Sequence, residues 1–174
     1  MKTGTWIFAS VAIVLVVAGF VFFRAQAKPV VKETAAAEIE PLNLTEEQWR
    51  ERLSPEAFEI LREEGTERPG SSPLNEEKRE GMFVCAGCGL ELFPSKYKFE
   101  SGTGWPSFYE VIEGHVETKL DRSAFMTRTE YHCARCGGHQ GHVFNDGPPP
   151  TGLRYCNNGD ALRFVPKGET ASAP

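Results

Sequence analysis

The sequence has no excess of basic residues and little cysteine, and both shortages limit what the protein can be. Its 174 residues contain 19 Lys and Arg against 24 Asp and Glu, so no basic face for nucleic acid is expected. Of only five cysteines, four can pair or hold a metal, and one stands alone. The 17 Gly and 12 Pro, concentrated after residue 65, exclude a long helical bundle there. The composition and length fit one folded domain with a short appendage.

An apolar run occupies residues 6–23 and is interrupted only by Ser10 and Gly19. As a helix it would measure roughly 27 Å, which is enough to cross the hydrocarbon core of a bilayer. Ala25-Gln-Ala27 follows it, a pattern typical of the cleavage site of an export signal. The sequence therefore predicts a membrane anchor or a signal sequence over residues 1–27, and the pattern fits both.

The charges that flank this run leave the side of the membrane open. Arg24, Lys28 and Lys32 follow the run and outnumber Lys2 before it, a bias that favours a downstream domain in the cytoplasm. An export signal would place the domain outside. We expect a membrane-anchored or exported protein on the periplasmic or extracytoplasmic side, with a membrane-bound protein facing the cytoplasm as the alternative.

The rest of the chain divides into a tether, a folded domain and a tail. Residues 28–44 lack periodicity and are predicted to be the tether, residues 45–168 the domain, and residues 169–174 the C-terminal tail. Two helix start patterns open the domain, a capping box at Thr45-Glu-Glu-Gln48 and the pair Ser54-Pro55. The second helix is expected to stop at Gly65.

After residue 70, short apolar runs alternate with Gly, Pro, Asn and Asp. This pattern predicts short strands at residues 82–84, 96–99, 124–131, 143–144 and 162–165. Regular turn residues between these runs favour antiparallel sheets. The expected fold is mainly β, of the α+β class, with two short N-terminal helices.

Two Cys-x-x-Cys-Gly segments predict a metal site made of Cys85, Cys88, Cys133 and Cys136. Two residues between thiolates allow one tight turn to present both sulfurs, and two such turns supply the four soft ligands that zinc prefers. We therefore expect one structural zinc ion with a closed shell. Two disulfides and a redox-active Cys-x-x-Cys pair are the alternatives.

The fifth cysteine, Cys156, has neighbours that favour chemistry. Arg154 is close in sequence, and the upstream segment contains His139, His142 and Asp146. A cysteine with such partners can form a nucleophile, acid and orienting group, and a nearby cation would lower the pKa of its thiol. The alternative is a buried, inert cysteine beside hydrogen-bonded core histidines.

The segment Ser101-Gly-Thr-Gly-Trp-Pro-Ser-Phe108 also stands out. Its glycines can be simple turn residues and Trp105 a core residue. Alternatively, the segment presents an aromatic wall suited to a small polarizable group, such as a methyl on sulfur.

Together, the cysteine pairs and the motifs SGTGWPSF, HQGHVFNDGP, GLRYC and LRF resemble a B-type methionine sulfoxide reductase from about Thr45 to Lys167. The resemblance implies two antiparallel sheets, a distant four-cysteine zinc site and Cys156 as the catalytic residue. It implies that Trp105 holds the substrate methyl group and that His139, His142 and Asp146 line the pocket and help to protonate the sulfoxide oxygen. Phe108, Arg154 and Asn158 are expected to contribute to substrate binding.

The resemblance also implies the reaction and its partners. The expected substrate is methionine-R-sulfoxide in oxidised proteins or peptides, and the expected role is protein repair after oxidative damage. Cys156 would become a sulfenic acid that external thiols reduce. Many family members have a resolving cysteine where this chain has Thr103, so a thioredoxin-like dithiol protein or a small thiol is expected to act directly. Gly159 stands where many family members have a Ser after the residue that corresponds to Asn158. A monomer is expected.

Two other functions remain open from the residues alone. A zinc-clamped β domain that only binds a protein or ligand would need neither Cys156 nor the histidine cluster. A thiol oxidoreductase would use the Cys-x-x-Cys pairs themselves. A Cys156→Ser variant tests the first alternative, and stoichiometric zinc that is lost only on unfolding would exclude the second.

Overall fold

Two short helices precede the sheets in the computed structural model, which describes residues 39–123 and 126–170. The first helix, α1, spans Glu46–Arg52, and the second, α2, spans Pro55–Glu63. The hydroxyl of Thr45 accepts a hydrogen bond from the Gln48 N–H, and the side chain of Gln48 accepts one from the Thr45 N–H. This is the capping box expected from the sequence, and it satisfies two N–H groups that the helix leaves unpaired.

The second helix also begins and ends close to the predicted residues. Ser54 caps its start by accepting from the Ala57 N–H, and Pro55 occupies the first helical position. The helix ends at Glu64, which adopts the left-handed conformation at φ 58°, one residue before the expected stop at Gly65. The left-handed residue that ends the helix is therefore Glu64, one residue earlier than the predicted Gly65.

Nine strands form two antiparallel sheets in the described part of the chain. They are β1 (Gly81–Cys85), β2 (Glu91–Pro94), β3 (Lys98–Phe99), β4 (Ser107–Phe108), β5 (Val116–Asp121), β6 (Arg128–Cys133), β7 (His139–Phe144), β8 (Arg154–Asn157) and β9 (Leu162–Pro166). The smaller sheet has the order β2-β1-β9, and the larger has the order β3-β4-β8-β7-β6-β5. Short 3₁₀ turns lie at Pro73–Glu76, Ser95–Tyr97 and Gly159–Ala161. The predicted fold class is confirmed.

Aromatic rings from both sheets make the core between them. Phe93 of β2 stacks on Phe108 of β4 with ring centroids 4.1 Å apart, and Phe83 of β1 meets the same ring edge-on at 4.9 Å. Tyr131 of β6 packs edge-on against Phe93. All four residues are fully buried. Burial of such rings contributes most of the apolar area that holds one sheet on the other.

The expectation of membrane attachment is corrected by the structure as far as it describes the chain. No helix among the described residues is long and apolar enough to cross a membrane. The longest of them has nine residues, whereas a span needs about 20. The segment from which the anchor, the export signal and the membrane location were predicted, residues 6–23, lies outside the described residues.

Candidate active site and zinc centre

The four paired cysteines lie together in the core, where the ends of β1 and β6 meet. The sulfur atoms of Cys85, Cys88, Cys133 and Cys136 all lie within 4.8 Å of one another, and all four residues are buried. Gly89 and Gly137 follow the two pairs at φ 74° and 67°. Their N–H groups donate to the carbonyls of Cys85 and Cys133, which closes each turn around its two sulfurs.

The separations between these sulfurs fit a metal and not a disulfide. The Sγ atoms of Cys85 and Cys136 are 3.7 Å apart, and those of Cys88 and Cys133 are 3.5 Å apart. A tetrahedral zinc ion with Zn–S bonds of about 2.3 Å sets its sulfurs about 3.8 Å apart, whereas a disulfide needs about 2.05 Å. The predicted cofactor, one structural zinc ion, is confirmed.

The two helices cover this zinc centre. Arg62 of α2 donates to the carbonyl oxygen of Cys136 at 3.0 Å, and Arg52 of α1 donates to that of Gly87 at 2.9 Å. A Cβ atom at Gly138 would lie 2.9 Å from Leu61 and 3.3 Å from the sulfur of Cys136. The N-terminal helices therefore pack directly on both Cys-x-x-Cys turns and close them against water.

A separate cavity of about 250 Å³ lies on the outer face of the larger sheet and contains the fifth cysteine. Its lining residues are Thr66, Thr103, Trp105, Arg128, Gly141, His142, Phe144, Arg154, Cys156, Asn157 and Asn158. A larger groove of about 920 Å³ runs along the smaller sheet, but neither cysteine nor histidine lines it. The reactive groups therefore select the smaller cavity as the candidate active site.

Strand register places Cys156 and His142 side by side. Cys156 of β8 is the direct partner of His142 on β7 and of Ser107 on β4. Direct partners in an antiparallel pair share one face, with Cβ atoms about 4.5–5.5 Å apart. A Cβ at Gly141 would lie 2.0 Å from the carbonyl oxygen of Cys156, so only glycine permits this approach of β7 to β8. The sequence pattern thus yields a half-buried thiol beside an imidazole.

Arg154 is held beside the thiol by Asp146. Nε and Nη2 of Arg154 donate to the two carboxylate oxygens of Asp146 at 2.8 and 2.9 Å, and the guanidinium lies over the ring of Phe144. Burial raises the pKa of Cys156, while Arg154 and a hydrogen bond from Thr103 lower it by less. The pKa is therefore raised overall, contrary to the effect expected from the cation alone, because desolvation of the sulfur outweighs it.

The imidazole of His142 is paired with a carboxylate that no motif in the sequence singles out. Nε2 of His142 lies 2.8 Å from Oδ2 of Asp121, to which Arg128 also donates at 2.6 Å. Burial lowers the pKa of His142 although Asp121 opposes the shift. The ring is therefore neutral near pH 7. The antiparallel pairings of β6 with β5 and with β7 bring these groups together, and the first of them sets Asp121 opposite Arg128.

His139 occupies a different place from the one that the sequence suggested. It is buried behind the cavity, with Nδ1 2.9 Å from Oε1 of Glu130, and Nζ of Lys119 lies 3.3 Å from the same oxygen. Neither ring nitrogen of His139 makes a hydrogen bond to another described residue. His139 and His142 pack edge to face at 5.5 Å. Neither His139 nor Asp146 lines the cavity, and each contacts a residue of the cavity wall.

Trp105 and Asn158 are fixed by one loop residue, Glu67. The indole N–H of Trp105 donates to the Glu67 carbonyl at 3.2 Å, and the Glu67 N–H donates to Oδ1 of Asn158 at 3.2 Å. The amide of Asn158 donates in turn to the carbonyl of Gln140. Phe108, by contrast, does not reach the cavity. It pairs with Tyr155 rather than Cys156, so its ring faces the opposite side of the sheet, in the core.

Taken together, the structure combines two antiparallel sheets with a four-cysteine zinc centre and a cavity that Cys156 lines apart from those four ligands. The SelR domain family model matches residues 53–166. A peptide methionine sulfoxide reductase MsrB of Methanosarcina barkeri is 55% identical over 126 residues, which cover 72% of this chain and 89% of that protein. The chain belongs to the SelR family, that of the B-type methionine sulfoxide reductases.

Other relatives agree with this assignment. The protein of the same name from Bradyrhizobium diazoefficiens is 56% identical, with 71% of this chain and 89% of that protein covered. The one from Pseudomonas entomophila is 50% identical, with 74% of this chain and 99% of that protein covered.

Among solved structures, the Mis18 "Yippee-like" domain is 20% identical with a TM-score of 0.43, and the match covers 52% of this chain and all of that one.

Proposed function

We propose that the protein is a peptide-methionine (R)-S-oxide reductase that converts methionine-R-sulfoxide in proteins to methionine. The observation that carries the proposal is the pairing of Cys156 with His142 on adjacent strands at a cavity that Trp105 also lines. The similarity to MsrB proteins over most of their length supports the same reaction. Residues 45–168 constitute the reductase domain in this proposal, followed by a tail at 169–174.

The first step transfers oxygen from the substrate to the cysteine. The thiol proton moves to the sulfoxide oxygen while the sulfur of Cys156 attacks the sulfoxide sulfur and forms a transient S–S bond. The hydroxyl then passes from the substrate sulfur to the Cys156 sulfur, so the substrate S–O bond and the transient S–S bond break and a Cys156 S–O bond forms. One thiol and one sulfoxide give one sulfenic acid and one thioether, so atoms and electrons balance: the substrate sulfur is reduced and Cys156 is oxidised. A sulfoxide oxygen leaves poorly until it is protonated, so a proton carrier must lie within hydrogen-bond reach.

His142 is the proposed proton carrier. It faces the same side of the sheet as Cys156, and burial keeps its pKa below the usual value, so that the neutral ring can accept the thiol proton. The resulting imidazolium is stabilised by Asp121 and can then donate to the sulfoxide oxygen. Because burial also holds Cys156 as a thiol, the proton that the reaction needs is stored in the site before the substrate arrives.

The other predicted residues are proposed to bind or position. Trp105 presents its ring to the substrate methyl group, and Asn158 supplies a wall of the cavity. Arg154 stabilises negative charge on Cys156, and Asp146 fixes its guanidinium through both carboxylate oxygens. His139 supports the ring of His142 from behind.

Regeneration of Cys156 is proposed to use an external reductant. Thr103 lies within hydrogen-bond reach of Cys156 and has no thiol, and the remaining four cysteines are committed to zinc. A first thiol condenses with the sulfenic acid to a mixed disulfide and releases water, and a second thiol frees Cys156. A thioredoxin-like dithiol protein supplies both thiols, as do two small thiols. The biological role proposed is repair of oxidised proteins.

The proposal is tested with the purified protein, both sulfoxide epimers of a methionyl peptide and dithiothreitol. The R epimer should be reduced and a Cys156→Ser variant should be inactive. Without reductant, mass spectrometry should find one added oxygen on Cys156 after a single turnover. No reduction of either epimer, or full activity of the Cys156→Ser variant, would contradict the proposal, and the latter result would favour a domain that only binds.

A further inference from the structure

The fully buried side chain of Gln140 lies between the zinc centre and the catalytic cavity. It belongs to β7, and its amide nitrogen Nε2 lies 3.5 Å from Sγ of Cys85 and 3.4 Å from the carbonyl oxygen of Gly138. Its amide oxygen has no hydrogen-bond partner among the described residues. Buried polar groups are normally hydrogen-bonded. The contacts of the amide nitrogen, above all the one with the sulfur of Cys85, therefore explain why a glutamine occupies this buried position.

The contact between Gln140 and Cys85 has a chemical purpose once zinc is bound. One Zn²⁺ ion with four thiolates leaves net negative charge buried in the core, where an uncompensated charge is costly. An N–H group that donates to a thiolate stabilises this charge and fixes the orientation of the ligand. Among the described residues, Gln140 is the side chain whose N–H contacts a zinc-ligating sulfur at hydrogen-bond distance.

The main chain of the same residue reaches the catalytic cavity. The carbonyl oxygen of Gln140 accepts hydrogen bonds from the backbone N–H of Asn158 at 2.9 Å and from its side-chain Nδ2 at 3.1 Å. Asn158 lines the cavity two residues after Cys156. One residue thus contacts a zinc ligand with its side chain and a residue of the cavity wall with its backbone.

We infer that Gln140 is a positioning residue that couples the two sites. Its amide donates to the Cys85 thiolate and slows the loss of zinc, and the anchored side chain holds the carbonyl that orients Asn158. The first half of the inference concerns the zinc centre alone. The second half rests on the proposed function, because it assumes that Asn158 serves a catalytic cavity.

The first experiment measures zinc release to a chromogenic chelator from wild type and Gln140→Met, with Gln48→Met as the control. Methionine keeps the length and volume of the side chain but has no N–H, and Gln48 is exposed and its side chain hydrogen-bonds Thr45 instead of a zinc ligand. Zinc should leave Gln140→Met about tenfold faster, the lower end of the effect of losing a hydrogen bond to a metal ligand. Equal rates in wild type and Gln140→Met would overturn the inference.

The second experiment needs no variant, so it decides the matter even if Gln140→Met fails to fold. In wild type loaded with ¹¹³Cd, NMR should show scalar coupling between the metal and the side-chain amide protons of Gln140, transmitted through the sulfur of Cys85. The absence of this coupling, with coupling to the cysteine Hβ protons present, would refute the hydrogen bond.

The third measurement tests the coupling to the cavity. In zinc-loaded Gln140→Met, the KM for a methionine sulfoxide peptide should rise severalfold while kcat changes less, because Asn158 loses its fixed orientation and Cys156 keeps its neighbours. An unchanged KM would refute the second half alone. If wild type reduces no sulfoxide, the proposed function fails, yet zinc release and cadmium coupling still decide the role of Gln140.

Discussion

Nε2 of His142 donates a hydrogen bond to Oδ2 of Asp121 at 2.8 Å, and the same carboxylate accepts from Arg128. Hydrogen bonds from Ser123, and then those from His142 and Arg128, hold the pKa of Asp121 well below its ordinary value. The carboxylate therefore stays ionised and fixes the histidine proton on Nε2. Nδ1 is left without that proton and can receive one from the thiol side, which is the tautomer that the proposed mechanism needs.

An Asp121→Asn variant should lower kcat/KM by at least about tenfold, because general acid–base catalysis contributes about 10²–10⁴-fold and depends on this tautomer. Asp121 raises the pKa of His142 against the effect of burial. Its removal should therefore lower that pKa further and move the acid limb of the pH–rate profile to lower pH. The profile of kcat/KM between pH 5 and pH 9 is the measurement.

The control for this variant is Glu117→Gln, a carboxylate-to-amide change on the same strand at an exposed residue that contacts His132. It should leave both the rate and the profile unchanged. An Asp121→Asn enzyme with the wild-type profile, or with an acid limb displaced to higher pH, would disprove the role of Asp121.

Arg154 should control the ionisation of Cys156. Arg154 lowers the pKa of the thiol, although burial raises it more. An Arg154→Gln variant should raise the pKa further and slow alkylation of Cys156 by iodoacetamide at pH 8, by about tenfold for each unit of increase. The pH dependence of alkylation, followed by mass spectrometry, gives the pKa directly. The control, Arg79→Gln, removes an exposed arginine paired with Glu77 and should leave the alkylation rate of Cys156 unchanged. Faster alkylation of Arg154→Gln than of wild type would contradict this prediction.

The parts predicted correctly from sequence are those that short spacings determine. Two residues between cysteines suffice to place both sulfurs on one ion, so the zinc site followed from the motif alone. The capping box at Thr45 is likewise local. Cys156 was identified because it was left over from the zinc set and lay near histidines, and the structure places it beside His142.

The residues missed from sequence depend on strand register between distant segments. Asp121 lies 21 positions before His142 in the sequence. The two side chains meet because β6 pairs with both of their strands. Glu130 lies outside every motif, and Gln140 lies inside HQGHVFNDGP without any local sign that its side chain is buried; only folding buries both. The strand β5 is not predicted because four of its six residues are exposed and two are only partly buried, so this edge strand shows no apolar face. Burial also reversed the expected direction of the Cys156 pKa, which no spacing reveals.

A Thr103→Cys variant should gain an internal route for regeneration. Thr103 is within hydrogen-bond reach of Cys156, so a thiol there can attack the sulfenic acid. After substrate is added without reductant, wild type should carry one added oxygen on Cys156 and react with dimedone. The variant should instead contain one new disulfide, lose dimedone reactivity and accept electrons more readily from a thioredoxin-like dithiol protein.

The matched control is Thr66→Cys, another threonine of the cavity wall. It should form the disulfide more slowly, because Thr103 and not Thr66 is among the main influences on the pKa of the Cys156 thiol. An unmodified sulfenic acid in Thr103→Cys would show that the two side chains do not meet during turnover.

Zinc should contribute to folding and not to chemistry. The ligands are buried and four in number, so the coordination shell has no open position for substrate. Cys156→Ser should retain one zinc ion per chain, whereas Cys88→Ser should bind substoichiometric zinc and melt earlier. A loss of about 2 kcal/mol lowers the Tm of a protein of this size by about 4–8 °C. Zinc-depleted protein with an unchanged Tm would contradict a structural role.

Phe108 and Trp105 should respond to substitution in opposite ways. Phe108 stacks on Phe93 inside the core, so Phe108→Leu should cost about 1–3 kcal/mol of unfolding free energy and leave KM unchanged. Trp105 is half-buried at the cavity, so Trp105→Ala should raise KM and should lower the free energy of unfolding by less than Phe108→Leu does. Urea unfolding and steady-state kinetics on both variants measure the contrast. If Phe108→Leu raises KM at unchanged stability, its ring contacts substrate after all, and the assignment of this segment to two faces of the sheet is wrong.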